Sequence, residues 1–156
     1  MNRELIEQYA AGADVPAKAI VGLERADLLA FPVPGTWSIQ QIILHLMDSD
    51  LIGADRMKRI AAEERPTLVG YNETAFANRL GYEHLSARDA AEIFRLNRLM
   101  TAEILRRLPE SAFSRVGLHT ERGEVTLEQL LAGYVQHVDH HLKFIRDKRK
   151  LLGKPL

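Results

Sequence analysis

The stretch TLEQLLAGYVQHVDHHLKFIRDKRK, Thr126 to Lys150, decides the fold. Its apolar residues Leu127, Leu130, Tyr134, Val138 and Ile145 are three, four, four and seven residues apart. At about 100° per residue they share one arc of a helix, the face that turns toward a core. Thr126 with Gln129 three residues later fits a capping box, in which the two side chains satisfy orphan N–H groups at the helix start. The spacing therefore predicts a helix over 126–151, stopping near Gly153 and Pro155.

The same signals recur on the N-terminal side. Ser38 with Gln41 is a second capping box and predicts a helix over 38–63; Ser86 with Asp89 is a looser version and predicts one over 86–107. A first helical region runs from Arg3 to Leu29, kinked or broken by Gly12, Asp14 and Pro16. The turn FPVPGTW, Phe31 to Trp37, follows it, and Trp37 reads as a packing anchor before the cap. Residues 65–85 form a crossover holding a short helix around Glu73–Leu80. SRVGLHTERGEV, Ser114 to Val125, reads as extended strands around a turn at Arg122–Gly123. No Ser/Gly linker, low-complexity segment or repeat divides the chain. The expected fold is all-α: one four-helix bundle over residues 1–156, with one long crossover connection and a short extended turn before the last helix.

The 156 residues are 46% apolar and 27% charged, a balance suited to a globular domain. Twenty-one Lys and Arg offset 21 Asp and Glu, and zero net charge argues against nucleic acid as the main partner. No cysteine is present, so disulfides and thiolate sites are excluded, and any metal takes nitrogen or oxygen ligands. MNRELIEQYAAGAD lacks a signal peptide's apolar core, and no apolar run has membrane-spanning length, so the expected location is cytoplasmic.

Six histidines, 45, 84, 119, 137, 140 and 141, carry the chemistry. HxxxH alone is a weak signal, but His137 and His141 lie one helical turn apart, with Cβ atoms about 5–6 Å from each other. Both fall at the edge of the buried arc, facing the bundle interior. His140 lies nearer Gln129, Gln136 and Asp147 on the polar side. Two inward imidazoles need partners, and a metal ion would satisfy both together. His45, in the apolar segment WSIQQIILHLMDSD, reads alone as a core histidine; beside an inward HxxxH it becomes the natural third ligand. Three neutral imidazoles suit zinc, nickel or ferrous iron and leave positions open for water or substrate. His84 and His119 read as surface or loop residues. Asp48 is placed either to orient a ligand or accept a proton, or as a surface carboxylate; Asp139 points away. KFIRDKRK supplies cations near a helix C-terminus, where the dipole favours them.

Three blocks resemble the DinB/YfiT-like family of metal-dependent enzymes. WSIQQIILHLMDSD is similar to the family's Trp-Ser helix start and histidine. ERPTLVGYNETAFANRL is similar to the crossover of the YfiT-like branch, with Asn72 where Asp is usual. HTERGEVTLEQLLAGYVQHVDHHLKFI is similar to the final turn and helix with H-x-x-H-H, although Lys143-Phe144 departs from the family's residues. The resemblance implies a four-helix bundle, a homodimer, and one divalent metal on His45, His137 and His141. It also implies either a hydrolase or a thiol-dependent S-transferase using a low-molecular-weight thiol such as bacillithiol or mycothiol. Under that reading Asp48, Asn72, Glu73 and Tyr134 are candidates for contacts to ligands or a small-molecule substrate, while His140 reads as a solvated residue or a neighbour of a ligand. The competing class is a non-catalytic metal-binding or oligomerising stress protein. DNA binding, suggested by the family name, runs against the zero net charge.

Overall fold

The computed structural model describes residues 2–156. Four principal helices make the bundle: α1 (Asn2–Ala11), α4 (Ile39–Ala62), α6 (Ala87–Arg106) and α7 (Leu127–Leu151), with two short helices, α2 (Val15–Ala19) and α3 (Arg25–Leu29), between the first pair. α4 packs against both α6 and α7, and α1 closes the other side against the same two. The capping residues act as their spacing predicts. Ser38 and Thr126 each accept the backbone N–H three residues on, while Gln41 and Gln129 reach back to complete the boxes. Ser86 accepts from Asp89 N at 3.1 Å.

The first helical region is more broken than expected. A 3₁₀ turn at Gly12–Asp14 follows α1, Pro16 sits in the first turn of α2, and a second break precedes α3. Gly22 occupies that break with φ 75°, a left-handed conformation that costs a residue without Cβ little. The crossover contains α5 (Glu73–Arg79). Asn72 caps it by accepting Ala75 N at 2.8 Å, a role Asn fills as well as the Asp usual there.

The extended segment becomes β2 (Val116–His119) and β3 (Gly123–Thr126), an antiparallel pair around the Arg122–Gly123 turn. A further strand, β1 (Thr67–Leu68), pairs parallel with β2 and makes the sheet three-stranded. Leu118 N donates to Pro66 O at 2.8 Å and Thr120 N to Leu68 O at 3.0 Å, fastening the crossover to the segment that leads into α7.

The core has two apolar parts. One gathers Ile39, Ile42, Ile43 and Leu46 of α4 with Phe94, Val138 and Ile145; the other gathers Met57 and Ile60 of α4 with Tyr9, Leu105, Leu127 and Leu131. Between them α4 carries Asp48, Ser49, Asp50, Gly53 and Arg56. This polar middle holds the candidate site on one side and a buried ion pair on the other. Arg98 donates from Nε to Asp50 Oδ1 at 2.9 Å, and from its terminal nitrogens to Tyr9 O at 3.2 Å and Tyr134 O at 2.7 Å.

The C-terminal run does more than complement a helix dipole. Lys148 and Arg149 are buried. Arg149 donates to Ala19 O and Val21 O, each at 2.9 Å, tying α7 to the end of α2. Among the described residues, no helix is long and apolar enough to cross a membrane.

Candidate metal centre

α4 and α7 bring His45, His137 and His141 together. His137 Nε2 lies 3.1 Å from His45 Nε2 and 3.1 Å from His141 Nε2. One ligand atom from each residue lies within 4.8 Å of the other two. Metal–nitrogen bonds of about 2.0–2.1 Å put neighbouring ligand nitrogens roughly 2.9–3.4 Å apart between octahedral and tetrahedral geometry. The observed spacing falls in that window. Burial pushes all three imidazoles down to about 3, with neighbouring imidazoles adding to the effect, so their ring nitrogens keep free lone pairs at neutral pH. Each neutral ring can turn one lone pair toward the point where the three nitrogens converge, and a divalent cation there would be coordinated by all three. These residues therefore fit one ion.

The surroundings divide into an apolar side and a polar one. Trp37 flanks the apolar side, with ring centroids 4.9 Å from His45 and 6.4 Å from His141, the latter pair stacked at 9°, and lines a cavity of about 380 Å³ there with His141 and Phe144. It is the expected packing anchor, and what it packs is the histidine set itself. Among the described residues, His141 Nδ1 is buried with no hydrogen-bond partner. On the other side a cavity of about 430 Å³ opens against His137, between Tyr71, Glu73 and the Arg56–Tyr134 pair. Tyr71 places its hydroxyl 3.5 Å from His45 Nδ1, and burial pushes its phenol up to about 12, so it stays protonated.

Glu73, on the first turn of α5, brings a carboxylate oxygen within 3.8 Å of His45 Nε2 while remaining 56% exposed. Tyr134 lines the same cavity and accepts from Arg56 Nη1 at 3.3 Å, and Asn72 lines it too. Other expectations need correction. Asp48 accepts the hydroxyl of Tyr82, which reaches it from the end of the crossover. His119 is neither loop nor surface but the last residue of β2, 5% exposed, because pairing with β1 and β3 folds that segment over the cavity. His84 and Asp139 are exposed as expected. His140 is exposed as well and sets its ring edge against Phe144 at 4.8 Å. Arg56 carried no signal in the sequence beyond its place on α4.

A four-helix bundle whose second and last long helices converge three neutral imidazoles defines a class: bundle proteins able to hold one transition-metal ion. Residues 8–145 match the DinB superfamily, and the chain belongs to that family. "Putative metal-dependent hydrolase YfiT" of Bacillus subtilis is 27% identical over 90% of this chain and 81% of its own length. Proteins described in the same words from Bacillus licheniformis and Halalkalibacterium halodurans are 30% and 28% identical. They match 76% and 81% of this chain, and 68% and 73% of their own lengths. The solved structure of Bacillus subtilis YfiT, a four-helix bundle of unusual topology, superimposes with a TM-score of 0.91 at 23% identity. The match covers 97% of this chain and 87% of that one.

Proposed function

We propose that the protein is a metal-dependent hydrolase in which His45, His137 and His141 hold one divalent ion and Glu73 accepts the proton of the attacking water. One observation carries this reading: three neutral imidazoles, buried or half-buried, meet at the wall of an open polar cavity, and a carboxylate stands 3.8 Å from one of them. The names of the relatives support it. An all-nitrogen set suits zinc, nickel or ferrous iron.

When bound, such an ion polarises a substrate oxygen and lowers the pKa of a water beside it. The chain's own residues supply the rest. Glu73 takes a proton as water adds to the scissile carbon, then returns it to the leaving group. Tyr71 keeps its proton and can donate to oxygen that gains charge. Trp37 packs against one flank of the histidines, and the polar cavity on the other flank brings substrate to His137 and Glu73.

The same set would activate a low-molecular-weight thiol, and a chain without cysteine would need that thiol supplied from outside. Transfer of the thiol to an electrophile is the second reading. Protein purified without added metal or a polyhistidine tag is expected to carry one ion per chain by elemental analysis. His137→Ala should lose it with helical circular dichroism unchanged. Glu73→Gln should keep the ion and lose about 10²-fold or more of turnover. Esters and amides in water, against thiol plus electrophile, separate the readings by product: free acid or thioether. A metal-free wild type, or equal turnover by Glu73→Gln, would overturn the proposal.

A further inference from the structure

The wall of the cavity facing the histidines holds two buried hydrogen-bond donors with no acceptor among the described residues. Arg56, 5% exposed, uses Nη1 on the Tyr134 hydroxyl at 3.3 Å and Nη2 on Val69 O at 2.6 Å, but its buried Nε has no partner. No carboxylate among the described residues forms an ion pair with it. His119 Nδ1 accepts Glu121 N at 3.2 Å, which puts the hydrogen of the neutral ring on Nε2. That Nε2 is also buried and without a partner.

Both side chains line the cavity that reaches His137, and Arg122 adds a third basic group at its rim. Burial and the two arginines hold the His119 ring below its usual pKa, so at neutral pH it is an N–H donor and carries no charge. An unpaired buried donor costs about 1–3 kcal/mol, and a buried guanidinium without a counter-ion costs more. Two such costs on one wall are relieved together by an oxygen anion. Glu73 and Glu121 also line the cavity, but both are exposed and neither takes a hydrogen from Arg56 or His119 Nε2.

We propose that Arg56 and His119 form an oxyanion anchor, the subsite that takes a carboxylate or phosphate group on the small-molecule substrate. Tyr134 joins it to the metal set: its hydroxyl accepts from Arg56, and its ring meets that of His137 edge-on at 6.3 Å. An anion held here presents the neighbouring bonds of the same molecule to His137 and Glu73. The placement within a catalytic cycle rests on the hydrolase reading; the anchor itself does not.

The test uses zinc-loaded protein titrated with two probes, succinate for a carboxylate and inorganic phosphate for a phosphate, followed by ¹⁵N-resolved NMR of the Arg56 Nε–H and His119 Nε2–H. At least one probe is expected to shift both donors, and the responding probe names the anion class. Arg56→Met and His119→Phe should each weaken its affinity about tenfold or more, the cost of one hydrogen bond to a charged group. His137→Ala, which removes a metal ligand, should leave the donor shifts in place. Turnover that survives in His137→Ala with the shifts intact would therefore count against the hydrolase reading alone. Wild-type donors that do not move with either probe would overturn the anchor, water then being their partner. Binding that vanishes in His137→Ala and is unchanged by the other two variants would overturn it as well, since the probe would then sit on the zinc.

Discussion

A histidine that is buried neutral resists acid differently from one in water. His45, His137 and His141 are pushed down to about 3 by burial, against about 6.5 in the unfolded chain. The sign follows from proton counts. Between pH 6.5 and 3 the unfolded chain binds protons at these rings that the folded chain refuses, so stability falls as pH drops through that window. Above about 6.5 both states are neutral there and the contribution is flat. In chelator-treated protein, urea midpoints are expected to hold steady from pH 8 to 7 and decline below 6.5. The limiting slope is roughly 1.4 kcal/mol per pH unit for each histidine. In His137→Gln the slope should be shallower; an equal slope would show that other groups control the acid response. Metal-loaded protein should lose its ion in this range only as the fold opens, since protons reach the ligands through the unfolded chain. The residue pattern made this set legible, because i,i+4 spacing and an apolar arc both act within one helix. Glu73, Arg56 and His119 were not legible as a group. α5, α4 and β2 bring them to one cavity only through tertiary contacts, and no local period records that.

Among the elements, α4, α6 and α7 were readable to within a residue because their starts are local chemistry: a side-chain oxygen on an N–H three residues away. β1 was not, since Thr67 and Leu68 gain strand geometry only by pairing with Leu118 and His119, about fifty residues along the chain. The break around Gly22 was hidden in an otherwise apolar run. Helix contacts also carry a constraint that a motif does not show. α4 and α7 approach at Gly53, where an added Cβ would lie 2.3 Å from Tyr134 Cζ and 2.6 Å from both neighbouring Cε atoms. An aromatic ring packed between two helices cannot give way as a flexible side chain does. Gly53→Ala is therefore expected to displace Tyr134, at a cost of about 1–3 kcal/mol of stability. Because Tyr134 lies one turn before His137, the change should also weaken metal affinity, read by competition with a chromogenic chelator. Gly133 shows no neighbour within 4 Å of an added Cβ, so Gly133→Ala serves as the control and should leave both quantities near wild type.

Across the whole molecule, one buried arginine joins elements that the apolar clusters leave separate. Arg98 reaches from α6 to the Asp50 carboxylate on α4, the Tyr9 carbonyl on α1 and the Tyr134 carbonyl on α7, with all four principal helices meeting at its guanidinium. Tyr9 and Asn97 also donate to Asp50 Oδ2, at 3.2 and 2.8 Å. Burial pushes the Asp50 carboxyl up, and Arg98 with these donors pulls against it. The 3₁₀ turn after α1 makes room for this network: an added Cβ at Gly12 would lie 2.6 Å from Arg98 Nη1. Removing one partner of such a pair strands the other charge. Arg98→Met is expected to cost about 3–5 kcal/mol, measured by urea unfolding of chelated protein. Asp50→Asn added to Arg98→Met removes the stranded charge while keeping an oxygen for Tyr9, and should recover at least half of that loss. If the double variant is no more stable than the single, the cost lies in the carbonyls of Tyr9 and Tyr134 losing their donor. The guanidinium would then matter as a clasp on α1 and α7, and the charge of Asp50 would be incidental to how the bundle closes.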